Sequence, residues 1–276
     1  MKPIVLITGC ASGIGKALAL AFHQQGHKVC ATARRLDALG DLAAQGIQTQ
    51  QLDVTDAAGV QAVLQALEQQ GQWVETLVNN AGYGAMGPLM DVSPEEMQRQ
   101  FEVNVLAPMA LCRAVLPGMV ARRAGRIVNI SSVSGVMPTP FAGAYCASKA
   151  ALNALSDALR MEVAPLGIQV TTVQPGGIES GFGEAAGRTV MLQSGSPYEP
   201  VRDAIIGRAQ ESQKDATPAA VFAAQMVRAV MRPEAPAVLR IGKKSSLMPA
   251  LKTCLPDRVL DRLLRRKFGL ERLRNP

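Results

Sequence analysis

Histidine is nearly missing from this 276-residue chain: there are two, His23 and His27. A histidine-built metal cluster or catalytic triad therefore has little to stand on. The five cysteines, Cys10, Cys30, Cys112, Cys146 and Cys254, are odd in number and scattered, with no C-x-x-C. That argues against a disulfide framework or zinc site and suits reduced thiols in a cytoplasmic protein. Aromatic residues make up only 4%. With no nucleic-acid-binding motif either, the pI of about 9.4 is a poor reason to infer nucleic-acid binding. The apolar run in MKPIVLITG is about five residues long, too short for the core of a secretory signal. No run approaches the roughly 18 apolar residues of a membrane span, and there is no internal repeat or low-complexity tract.

What is present is apolar and evenly patterned. A composition of 48% hydrophobic and 18% charged residues supplies ample material for a core. The charge is uneven. Residues 240–276 hold eleven Lys/Arg against three Asp/Glu, while residues 1–239 hold 18 against 19. The net charge of +7 thus belongs to the C-terminal segment.

Short β-branched runs alternate with helical periodicity along most of the chain. Strands are expected at about 2–8, 28–33, 47–52, 76–79, 126–131, 168–174 and 237–241. Helices are expected to end at Gly26, to cover 36–44 and 57–70, to run from a Ser93-Pro94-Glu95-Glu96 start to 123, to carry Tyr145 as far as 164, and to begin at Pro218. Such alternation predicts a single α/β domain of the Rossmann type, doubly wound, with about seven parallel strands and helices on both faces. Ligands of such sheets bind at the carboxyl ends of the strands. Gly9, Asn79, Ser131–Ser132 and Pro175 all fall at predicted strand ends.

Three groups of residues carry chemistry. In TGCASGIG, Gly9, Gly13 and Gly15 open a helix after the first strand. Missing side chains let backbone approach a pyrophosphate, and the helix N-terminus offers free N–H groups. The spacing is G-x-x-x-G-x-G, so the G-x-G-x-x-G fingerprint fails. A P-loop fails too, because Gly9 to Gly15 is one residue too long and Ala17 follows Lys16. A ligand-free glycine turn is the alternative. At the end of the second strand, where an acid would select NAD, stand Arg34 and Arg35. Arginine pairs with a 2′-phosphate, so NADP(H) is expected over NAD(H), with Arg34 the nearer contact; a solvated arginine pair is the alternative.

Tyr145 and Lys149 lie four apart on one helix face, with Ser132 thirteen residues upstream. An ammonium near a phenol favours the phenolate, and such a tyrosine exchanges a proton with a carbonyl or alcohol oxygen. A serine hydroxyl steadies charge on that oxygen. Alone, Tyr145 and Lys149 would pass for surface side chains. Asn104, in FEVNVLA, is polar between valines on a buried helix, fit for a catalytic role or for holding a helix irregularity. Asp53, in QLDVTD, either meets a base edge or caps the next helix.

TGCASGIG, LDVTD, NNAG, FEVN, the ISS serine, YCASK and PGG together resemble the short-chain dehydrogenase/reductase family over about residues 4–180. The resemblance implies an NAD(P)-dependent oxidoreductase interconverting a carbonyl and an alcohol. It implies a catalytic tetrad of Ser132, Tyr145, Lys149 and Asn104, with Asn104 holding a water in a proton relay. Gly9, Ser12, Gly13, Ile14 and Gly15, then Arg34, Arg35, Asp53, Val54, Asn80, Ala81 and Gly82, then Tyr145, Lys149, Pro175, Gly176, Ile178 and Ser180, would contact cofactor. Ser180 departs from the family's usual threonine but keeps the hydroxyl. No metal is implied. A homo-oligomer, dimer or tetramer, is.

Residues 179–217 read as a mobile substrate lid on a catalytic domain of residues 1–254. Phe182, Met191, Leu192, Tyr198, Met86, Met137 and Phe141 would face an apolar, steroid-, retinoid- or acyl-like carbonyl. Residues 255–276 form a basic amphipathic helix, with Leu255, Val259, Leu260, Leu263, Leu264 and Phe268 on its apolar side. Packing on its own domain is the favoured expectation; an anionic membrane surface or a partner is the alternative. A non-catalytic NADP-binding regulator of the same fold is the competing function, against which the complete tetrad argues.

Overall fold

The computed structural model describes residues 1–188 and 190–274, without the side chains of 184, 185 and 274. Position 189 of the lid and positions 275–276 of the tail lie outside the described residues. Seven strands form one parallel sheet: β1 (Lys2–Ile7), β2 (Val29–Ala33), β3 (Gln48–Gln51), β4 (Gln72–Asn79), β5 (Gly125–Ile130), β6 (Ile168–Pro175) and β7 (Val238–Ile241). Their order is β3-β2-β1-β4-β5-β6-β7, so the chain reverses direction across the sheet between β1 and β4. That switch point is where the connections leave in opposite senses and open a crevice.

Successive residues of a buried strand face opposite sides, and both sides here are apolar. Val5 and Ile7 join Leu18, Phe22, Phe222 and Met226 of α1 (Gly13–Gln24) and α9 (Ala219–Val230). Ile4 and Leu6 join Val63, Leu111, Val115 and Met119 on the other face, from α3 (Ala57–Gln69) and α5 (Ala107–Arg122). The short α2 (Gly40–Ala43) follows a 3-10 turn at Leu36–Leu39, so the helix expected over 36–44 is split. Strand β4 begins at Gln72, four residues earlier than expected. Its extra residues pair with Lys2–Ile4 across a register shift at Ile4/Val5.

Ser93 caps α4 (Pro94–Phe101) as expected, its hydroxyl accepting from the Glu96 N–H at 3.2 Å. Between α4 and α5 the backbone widens into a π-helical turn at Glu102–Leu106, with Asn104 inside it. The continuous Pro94–Arg122 helix is long and apolar enough to cross a membrane by composition. Here its apolar side instead covers the sheet through Leu111, Val115 and Met119.

The α6 helix (Gly143–Val163) packs beside β5 and β6. The lid after β6 is structured, with α7 (Phe182–Arg188) and α8 (Arg202–Gln210). Its ends are stapled: Thr217 N–H donates to the Gly177 carbonyl at 2.9 Å and Glu179 N–H to the Thr217 carbonyl at 2.9 Å. The tail holds α10 (Leu247–Cys254) and α11 (Asp257–Lys267). Leu260, Leu264 and Phe268 turn toward the domain, and Phe268 sits with Phe141, Val201 and Ile205 of the loop before α6 and the lid. Val259 and Leu263, on the neighbouring stripe, stay 44% and 52% exposed.

Candidate active site

A cavity of about 980 Å³ opens along the carboxyl ends of β1, β4, β5 and β6, and the lid and tail close its far side. Its first region is the turn after β1. Gly9 has φ +73° and Gly13 has φ +55°, conformations that favour glycine. A Cβ at Gly15 would collide with the Gly9 carbonyl oxygen. The Asn80 amide holds this turn, donating to the Thr8 carbonyl at 2.8 Å and to the Gly9 carbonyl at 3.1 Å. Ser12 stands at the N-cap of α1 without its side chain capping the helix. The first amides of α1 are left for a ligand. This cradle, which a Cβ would fill, fits the pyrophosphate of a dinucleotide.

Arg34 and Asp53 line the cavity beyond the turn. Arg35 does not: its guanidinium pairs with the exposed Asp37 carboxylate. Arg34 has no such ion-pair partner among the described residues and keeps its place on the cavity wall. The Asp53 carboxylate accepts from the Thr55 N–H at 3.0 Å and its hydroxyl at 2.8 Å, and these bonds lower its pKa. The α3 cap is Asp56, whose carboxylate accepts from Ala58 N–H. Asp53 is thus left facing the cavity rather than capping the helix.

The second region lies between β5 and α6. Ser132, Tyr145 and Lys149 are all buried and all line the cavity. Burial raises the Tyr145 phenol to about 12, and a hydrogen bond with Ser132 offsets part of that rise. The Lys149 ammonium lies 5.9 Å from the Tyr145 ring centroid and donates to the Ile130 carbonyl at 2.8 Å. Burial pulls its pKa down to about 8. Beneath them the Asn79 amide donates to Asn129 Oδ1 at 2.8 Å, and the Asn129 amide donates to the Ser156 hydroxyl at 2.8 Å. This ties β4, β5 and α6 together under the site.

Asn104 does not reach the cavity. It is fully buried, donates to the Tyr83 carbonyl at 2.9 Å and the Ser148 hydroxyl at 3.1 Å, and accepts from Tyr83 N–H at 3.2 Å. It locks the π-turn to the loop after β4 and to α6. Ser12, Gly13, Ile14, Val54, Ala81, Gly82, Pro175, Gly176, Ile178 and Ser180 line the cavity.

The expected apolar wall is redrawn. Met86 and Phe182 line the cavity, and Phe182 lies 5.3 Å from the Tyr145 ring. Met191 instead pairs through its backbone with Met86, at 2.8 Å. Phe141, Leu192 and Tyr198 join the cluster under the tail, and Met137 is buried outside the cavity. Their places are taken by Ala186, Met248 and Phe268, and by the polar pair Thr139 and Arg208. Helical spacing marks Phe268 as apolar but not as cavity wall, and nothing in local periodicity marks the other four. They meet only because lid and tail fold over the sheet edge.

The family model for short chain dehydrogenase matches residues 3–190. The chain is 34% identical over 269 residues to 3-ketodihydrosphingosine reductase of Bacteroides thetaiotaomicron, covering 96% of this chain and 98% of that protein. It is 41% identical over 181 residues to NADPH-dependent 1-acyldihydroxyacetone phosphate reductase of Schizosaccharomyces pombe, covering 65% of this chain and 61% of that protein. In that second comparison the chain spans less than two thirds of the relative's length. Among solved structures, a short-chain dehydrogenase from Streptomyces avermitilis superposes with a TM-score of 0.80 and 32% identity, covering 95% and 94% of the two chains. The chain belongs to the short-chain dehydrogenase family and is an NAD(P)-dependent oxidoreductase acting on alcohol and carbonyl groups.

Proposed function

We propose that this protein is an NADP(H)-dependent carbonyl reductase in which Tyr145 gives the proton. The carrying observation is that Ser132, Tyr145 and Lys149 open onto the same cavity as the glycine cradle and Arg34. When bound, the nicotinamide supplies the hydride. Tyr145 remains protonated at neutral pH and hands its phenolic proton to the carbonyl oxygen. The Ser132 hydroxyl donates a hydrogen bond to that oxygen as charge develops. The Lys149 cation stabilises the phenolate left behind. Arg34 holds the 2′-phosphate, and the uncapped start of α1 receives the pyrophosphate. Asn104 acts at one remove, fixing the loop that carries Gly82 and Tyr83.

Met86, Phe182, Ala186, Met248 and Phe268 give the substrate end an apolar wall, which supports an apolar, acyl-like carbonyl as substrate. Consumption of NADPH with a panel of small, aromatic, steroid, retinoid and long-chain carbonyls tests the reading. Turnover confined to small polar carbonyls would remove the apolar part of it.

A second property has its own observation. Val259 and Leu263 are exposed on α11 beside Arg258, Arg262, Arg265 and Arg266. This free stripe, framed by cations, supports peripheral contact with an anionic membrane surface.

A further inference from the structure

Arg208 has no part in the chemistry above, yet it lines the same cavity. It belongs to α8 of the lid, is only 8% exposed, and lines the cavity together with Tyr145. Its Nε donates to the Thr139 hydroxyl at 2.7 Å. A guanidinium carries five donors, and burying its charge without a counter-ion is costly. No carboxylate lies within ion-pair distance of Arg208 among the described residues. Of the other cations lining the cavity, Lys267 pairs with Glu211 at 2.7 Å and Lys243 with Asp215 at 2.9 Å. They sit nearer the surface, where a free charge costs little. Arg208 is thus a buried charge whose remaining donors are left for something in the cavity.

Its neighbours place it on the substrate side. Thr139 lies in the segment leading into α6, six residues before Tyr145. The Arg208 charge is felt at the Tyr145 phenol and at the Cys146 thiol, where it opposes the rise due to burial. The glycine cradle follows β1 and Arg34 follows β2, across β4 from β5 and its Ser132.

We propose that Arg208 is a substrate anchor that binds an anionic group, carboxylate or phosphate, carried by the substrate close to its reacting carbonyl. The proposal rests on the reductase reading and narrows it. With Met86, Phe182 and Phe268 lining the same cavity, the substrate is an amphiphile: a hydrocarbon portion, an oxo group, and an anion beside the oxo group. Arg208 does not touch the reacting atoms. It sets which ketone is held with its oxygen at Tyr145.

Two matched pairs of ketones test this: 2-oxodecanoate against its methyl ester, and 1-hydroxy-2-dodecanone phosphate against the free hydroxyketone. In the wild-type protein the anionic member of one pair is expected to have a kcat/KM about 30-fold or more above its neutral partner, expressed mainly in KM, as a charge-assisted bond implies. The pair that shows it identifies carboxylate or phosphate. Arg208→Met should erase the preference and Arg208→Lys restore part of it. No preference in either pair, or one that survives in Arg208→Met, overturns the anchor. That wild-type comparison needs no variant, and NADPH fluorescence checks that each variant is folded. Calorimetric titration of dodecanoate, dodecyl phosphate and dodecanol into NADP+-saturated protein reads the anchor without turnover, and anion binding no tighter than dodecanol overturns it. Anion-selective binding with no Tyr145-dependent turnover would sink the reductase reading alone. Tyr145-dependent turnover without anion preference would sink the anchor alone.

Discussion

Burial disfavours charge on both Tyr145 and Lys149, pushing the phenol up to about 12 and the ammonium down to about 8. The proposed chemistry uses the first effect and is limited by the second. Lys149 is fully cationic well below pH 8 and loses its charge above it, so the phenolate formed after proton transfer loses its support there. Reduction rates should therefore be flat near pH 6–7 and fall as pH rises through about 8, and a rate that keeps climbing to pH 10 would contradict this. At the cofactor end, Arg34→Asp replaces an attractive charge by a repulsive one. It should shift the ratio of kcat/KM for NADPH over NADH by roughly 100-fold toward NADH. Paired kinetics with the two cofactors check it, and an unchanged ratio would remove Arg34 from the site. The Ser132, Tyr145 and Lys149 set was legible in sequence because helix periodicity and strand ends fix those positions locally. Arg208 and Thr139 were not. They lie 69 residues apart, and a lone arginine in RDAIIGRAQ carries no periodic signal.

Most elements were legible because most strands are short apolar runs and helices such as α1, α3, α6 and α9 show one apolar face. The misplacements have physical causes. The start of β4, Gln72–Trp73–Val74–Glu75, mixes polar and apolar residues, and it is a strand because β1 offers it a partner. The break at Glu102–Leu106 is imposed by Asn104, whose bonds to Tyr83 and Ser148 come from other elements. The tail shows the same limit. Its apolar side was clear from spacing, but which half packs depends on the lid it meets. Phe268 is 4% exposed, edge-on to Phe141 at 6.4 Å. Phe268→Ala should cost about 3 kcal/mol and lower Tm by roughly 6–12 °C. Val259→Ala, on the exposed stripe, should change stability by less than about 0.5 kcal/mol. Equal Tm shifts in thermal unfolding would mean that the tail does not hold the lid as described.

At the scale of the molecule, charge and shape are separated. A nearly neutral α/β body carries the cavity, and a basic tail both closes it and offers a cationic face with Val259 and Leu263 exposed. If that face meets membrane, full-length protein should float with vesicles rich in anionic lipid and be released as salt rises, while a Val259→Asp/Leu263→Asp variant stays behind. Equal flotation of the two would limit the tail to covering the lid. The central claim is the tyrosine-dependent reduction. It is tested most directly by NADPH consumption with a long-chain oxo substrate, comparing wild type with Tyr145→Phe at equal NADPH occupancy. The account predicts turnover in the wild type and a loss of about 100-fold or more in the variant, the scale of general acid catalysis. Equal turnover by both proteins would contradict it.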